Sequence, residues 1–193
     1  MKNKLIIAAL LLSISCSSPK EEKVAESNGH EHHDHSAHAG TSNAKSPRTA
    51  AMANIGSNHV HIDYSAPSVR GRQIFGGLVA FDEVWVTGAH TATSIAFNKD
   101  LIIEGEKVPK GKYALFTIPG ENSWTVILNK NYEQHLADDY DEADDVLRIK
   151  IETFTPEVQA EQLKFEVISK TSNSGVLRFS WDQTAFELDI EVE

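Results

Sequence analysis

Cysteine is almost absent from this 193-residue chain, which holds only Cys16. No internal disulfide can cross-link it, so its stability must come from burial and hydrogen bonding. Cations are also in short supply, 18 Lys and Arg against 28 Asp and Glu, for a formal net charge of −10. That balance argues against a nucleic-acid partner, because phosphate recognition needs clustered Lys and Arg that release counterions. The apolar run Leu5–Leu12 falls far short of the roughly 20 residues that span a bilayer. There is no Gly-x-Ser-x-Gly elbow for a serine nucleophile. Arg70-Gly71-Arg72, followed by Gly76-Gly77, lacks the Gly-Lys-Ser/Thr ending and strand-to-helix setting of a phosphate loop. Its arginines are expected to hold a carboxylate, most naturally an internal one. The acidic run Asp138–Asp145 lacks the glycine and closing Glu of an EF-hand and reads as a solvated loop.

What is present begins with an export signal. Lys2 and Lys4 precede Leu5–Leu12, and the small-residue segment Ser13-Ile14-Ser15 stands directly before Cys16. This resembles a bacterial lipobox, with Ser13 where Leu is usual. The resemblance implies a signal peptide over residues 1–15, cleavage before Cys16, and acylation of that thiol and of the new amino terminus. Several acyl chains give lasting attachment where one gives only marginal binding. Ser17, Ser18 and Pro19 include no Asp of the kind that retains lipoproteins in the inner membrane. An outer-membrane lipoprotein is therefore expected, facing either the periplasm or the cell surface. Cys16→Ser should move the protein from the detergent phase to the aqueous phase or leave it unprocessed; unchanged partitioning would refute the anchor.

From residue 16 to residue 45 the chain is rich in Ser, Glu, Lys, Asn, Gly and His and nearly devoid of large apolar residues, so it reads as a disordered tether. His30, His32, His33, His35 and His38 are interleaved there with Glu31 and Asp34. Neutral imidazole ligates zinc, copper and nickel, and a flexible chain can fold several around one ion. Metal capture and a plain polar spacer are both compatible with this composition.

Beyond it, residues 46–193 read as one all-β domain. Phe186, Leu188, Ile190 and Val192 alternate with Glu187, Asp189, Glu191 and Glu193, the period of a strand with one face packed and one wet. Leu177, Phe179 and Trp181 repeat the pattern, and Asp182-Gln183-Thr184 is short enough to join the two as a hairpin. Further strands are expected around Leu163–Val167, Leu147–Ile151, Thr93–Asn98 and Asp100–Glu104, with His59–Ser65 opening the domain. Tyr113–Ile118 and Trp124–Leu128 are apolar on both faces and read as central. One segment, residues 131–138, looks helical. The expectation is an antiparallel two-sheet β-sandwich with that short helix.

A resemblance covers the whole domain. Ser46-Pro47-Arg48, Asp63-Tyr64-Ser65, Pro67 through Arg72, Ile74 through Leu78, and Trp85 with Thr87-Gly88-Ala89 open it. Pro109 to Gly111, Tyr113 through Gly120, Trp124 through Ile127 and Asp145 through Arg148 continue it in order and spacing. In these phrases the chain resembles the uncharacterised bacterial family called domain of unknown function 2911. The resemblance implies a secreted or lipid-anchored envelope protein with a β-rich domain, and it implies no reaction. Many members have Arg, Asn and Glu where this chain has Val86, His90 and Thr91, so His90 has replaced part of any polar site built there.

Within the domain, His59, His61 and Asp63 alternate with Val60, Ile62 and Tyr64, which places the three polar side chains on one face of a strand. His90 follows Gly88 in a loop, and His135 lies before the acidic run. If His59, His61, His90 and His135 converge, three imidazoles with a carboxylate or water suit zinc or copper. If they do not, each is an ordinary surface histidine. Trp85, Trp124 and Trp181 raise a sugar-stacking platform as an alternative, although Trp124 and Trp181 alternate with core residues and favour burial. The leading expectation is a non-catalytic envelope module binding a divalent transition metal. A glycan- or protein-binding surface near Trp85 comes second, and a hydrolase with metal-activated water third.

Overall fold

Two antiparallel sheets account for most of the described chain, residues 45–192 of a computed structural model. The strands are β1 (Arg48–Ile55), β2 (Asn58–Ser65), β3 (Thr93–Phe97), β4 (Leu101–Ile103), β5 (Glu106–Val108), β6 (Gly111–Ile118), β7 (Ser123–Asn129), β8 (Asp145–Glu152), β9 (Ala160–Ser169), β10 (Ser174–Asp182) and β11 (Thr184–Val192). One sheet has the order β1-β2-β3-β6-β7-β8, the other β5-β4-β11-β10-β9. The chain is an all-β sandwich. The expected signal peptide, Cys16 and the histidines of the expected tether, His30, His32, His33, His35 and His38, lie outside the described residues.

Side-chain alternation explains which faces meet. On β11, Phe186, Leu188, Ile190 and Val192 are buried, while Asp189 and Glu191 are exposed. On β2 the same period buries Val60, Ile62 and Tyr64 against the opposite sheet. Between the sheets lies a cluster of rings. Phe179 stacks on Phe186 with centroids 4.9 Å apart and touches Phe165 and Trp124 at 5.4 and 5.5 Å. The β10–β11 hairpin turns at Asp182, whose φ is +56°, with Trp181 paired to Thr184. The β4–β5 hairpin turns on Glu104 and Gly105, both at positive φ, which is the backbone that matches the twist of the flanking strands.

Three expectations need correction. Residues 131–138 form no helix: the segment is irregular, His135 makes an isolated bridge to Thr91, and Leu136 sits at φ +52°. The cause is local competition, because Asn129 Oδ1 takes the Asn131 amide and the Gln134 side chain donates to Asn131 O. Helical geometry appears instead as a single 3-10 turn over Glu142–Asp144, where Asp141 Oδ1 accepts from Ala143 N. Second, β1 precedes the strand expected to open the domain. Its sequence, Arg-Thr-Ala-Ala-Met-Ala-Asn-Ile, has almost no large alternating side chains, and it becomes a strand by pairing along the whole of β2 at the sheet edge. Third, Arg70 and Arg72 hold backbone carbonyls rather than a carboxylate: Arg70 Nη2 donates to Lys45 O at 3.2 Å and Arg72 Nε to Val69 O at 3.1 Å.

Candidate functional site

The connection from β2 to β3, residues 66–92, greatly exceeds the usual length of about 4–6 residues, and segments of that kind commonly carry function. It does not hang free. Val69 N bonds to Glu161 O and Leu163 N to Pro67 O, tying its start to β9. Phe75 inserts into the ring cluster, 4.8 Å from Trp124 and 6.0 Å from Trp181. Trp85 exchanges two backbone bonds with Thr117 of β6, and the Thr93 hydroxyl donates to Thr87 O at 2.9 Å. The segment thus lies over the sandwich as a fixed wall.

A second wall is residues 130–141. Buried Asn129 anchors it: its Nδ2 donates to Asp141 O and to Asp145 Oδ1, both at 2.8 Å, and its Oδ1 accepts from Asn131 N. Leu136 N then bonds to His90 O at 2.7 Å, joining the two walls. Behind this wall, Asp145 Oδ2 accepts from the Tyr140 hydroxyl at 2.8 Å and from Arg148 Nη1 at 3.0 Å. Burial and then the Asp145 carboxylate push the Tyr140 phenol up to about 12. Asp145, the last residue of the acidic run, is consumed by this structural network. A cleft of about 450 Å³ opens along the first wall, with Leu136 as the contribution of the second.

The four domain histidines separate into two places. His59 and His61 stand together on the outer face of β2, ring centroids 6.1 Å apart, beside Ala96 and Asn98. Asn54 Oδ1 lies 2.9 Å from His59 Nδ1, and Asp63 Oδ1 lies 3.2 Å from His61 Nε2. His90 and His135 are brought near each other by the Leu136–His90 backbone bond, but their side chains serve different hollows. His90 lines the cleft, whereas His135 lines a polar depression with Arg48, Lys112 and Gln134. His135 Nδ1 is 3.9 Å from Asp138 Oδ2. His61 pairs with Ala96 on β3, and Thr91 is five residues further along, on the order of 16 Å of extended chain. Among the described residues no group of three or more His, Cys, Asp or Glu is placed to hold one metal ion. A four-histidine centre is therefore not assembled.

The tryptophans form no flat platform. Trp124 and Trp181 are buried in the core, and Trp85 is half-buried, stacked on Trp181 at 5.8 Å with Nε1 donating to Gly88 O. Trp85 and Trp181 line the cleft.

Over residues 46–190 the chain matches the family model described as Protein of unknown function (DUF2911). The chain belongs to this family. No curated protein and no solved structure matches it. In this DUF2911 domain Val86 and His90 face the cleft and Thr91 the depression beside it. Two contributors escaped sequence reasoning. Met52 sits on the unrecognised β1, directly opposite His61 and exposed. Leu136 falls on the cleft rim only because its segment is not helical. The one available signal was the long interval between the strands ending at Ser65 and starting at Thr93.

Proposed function

We propose that this DUF2911 member is a lipid-anchored, outer-membrane binding protein whose sandwich takes a transition-metal ion on the outer face of β2, copper in preference to zinc. The observation that carries the reading is the state of the two imidazoles. Asn54 Oδ1 lies at hydrogen-bond distance from His59 Nδ1, and Asp63 Oδ1 lies 3.2 Å from His61 Nε2, so each ring has a polar partner at one nitrogen and its other nitrogen is the one offered to an ion, the usual support for a ligating histidine. An ion bonded at about 2.0–2.1 Å to one nitrogen of each ring keeps the centroids roughly 5–6 Å apart. The rings stand 6.1 Å apart, so a small rotation suffices. Met52, 53% exposed, occupies the cross-strand position next to His61 and supplies a thioether, a soft ligand that favours copper(I). Behind the anchor, the tether histidines His30, His32, His33, His35 and His38 would gather the same ions between membrane and domain.

Isothermal titration of the full-length chain with copper and with zinc tests this. Replacing all five tether histidines with Ala should leave one copper equivalent per chain. Adding His59→Ala and His61→Ala should abolish it, and Met52→Leu should weaken copper(I) about ten-fold while leaving zinc unchanged. Copper stoichiometry that is indifferent to His59 and His61 would overturn the reading.

A further inference from the structure

The cleft along residues 67–90, rimmed by Leu136, has the chemistry of a ligand site separate from the histidine face. Its apolar surface includes Leu78 and Leu136, which are 51% and 43% exposed and so leave side chains of a kind usually buried in contact with water. The Trp181 side chain, 1% exposed, lines it as well, and its indole Nε1 is buried without an acceptor. Leaving such a donor unsatisfied is costly.

Charge at the cleft is of one sign. Lys45, Arg70 and Arg72 line it together with His90, and none of its lining residues is Asp or Glu, in a protein of net charge −10. The two guanidiniums are held in place by the carbonyls of Lys45, Ser68 and Val69, which orient them without neutralising them. Glu161, the nearby acid, is bonded to the backbone amide of Arg70. Backbone strain collects here too. Arg70, His90 and Leu136 all line the cleft, and all three have positive φ, at +51°, +65° and +52°. Non-glycine residues in that region are held there only by surrounding structure, and they cluster at binding sites. An apolar pocket of about 450 Å³ with few convergent polar groups falls within the ordinary range for small-molecule sites, roughly 300–1,000 Å³.

We propose that this cleft binds a single-chain anionic amphiphile, a medium-length carboxylate whose tail lies against Leu78, Val79 and Leu136. Its head group is met by Arg70, Arg72 and Lys45.

Decanoate, well below its micelle-forming concentration, is the probe, with acetate and decanamide as controls that remove the tail and the charge respectively. Calorimetry and tryptophan emission on the full-length chain should show saturable binding of decanoate at one site, at least ten-fold tighter than either control. Leu136→Asp places a negative charge at the rim and suits the left-handed backbone better than leucine does. It should weaken decanoate at least ten-fold without lowering the thermal midpoint. Arg70→Gln should weaken decanoate and leave decanamide unaffected. Decanoate no tighter than acetate, decanamide equal to decanoate, or both variants binding as the unaltered chain does would each overturn the assignment.

Discussion

Phe179→Ala should cost the folded domain about 3–5 kcal/mol, the usual range for truncating a buried aromatic, and so lower the thermal midpoint by roughly 6–20 °C. Phe179 has no exposed surface and lies where the sheets meet. It stacks on Phe186 at 14° and also meets Phe165, Trp124 and Trp85. Its removal forfeits the ring's transfer energy and leaves a space that β-sheet backbones on two sides cannot close. Differential scanning calorimetry measures the loss. A change below about 1 kcal/mol would mean that the ring cluster collapses freely and is not the common core of the two sheets. Because Trp85 both touches Phe179 and lines the cleft, the same variant should blunt the tryptophan response to decanoate.

Asn129→Ala should destabilise by about 2–3 kcal/mol, with its effect concentrated in residues 130–145. The side chain is fully buried and all its polar atoms are used, two bonds donated to Asp141 O and Asp145 Oδ1 and one accepted from Asn131 N. Alanine leaves the Asn131 amide and the Asp141 carbonyl without those partners and removes one of the groups holding Asp145. Hydrogen exchange should therefore accelerate across residues 130–145 more than in β10 or β11, and decanoate affinity should fall because Leu136 belongs to that wall. Uniform acceleration over the whole domain would show that Asn129 supports the core globally instead of fastening this segment. The Tyr140–Asp145–Arg148 network ties the far end of the wall to β8 and limits how far it can open.

Legibility differed sharply between core and site. The strands with large alternating side chains, β2, β10 and β11, were readable because burial of one face requires that alternation. β1 was not, because an edge strand rich in Ala and Thr is stabilised by its partner and has little pattern of its own. The apparent helix at 131–138 failed for a related reason. Asn and Gln side chains bonded to nearby backbone groups there outweighed intrinsic helix preference. Among the histidines, alternation correctly put His59 and His61 on one face with Asp63, since neighbouring positions on a strand are set by local geometry alone. The distance from that pair to His90 and His135 depends on where two long connections are pinned.

Read alone, the chain determined that it carries a sandwich of antiparallel strands over residues 46–193, because its apolar period, turn residues and family phrases all act over a few positions at a time. Tertiary structure alone decided that Met52 would stand beside His61, that Arg70, His90 and Leu136 would share a cleft, and that the Trp181 indole would be buried there without a partner. Met52 and His61 meet across the β1–β2 hairpin, whereas the cleft joins segments distant along the chain and is enforced by hydrogen bonds and packing that exist only once the long connections are pinned onto the sheets.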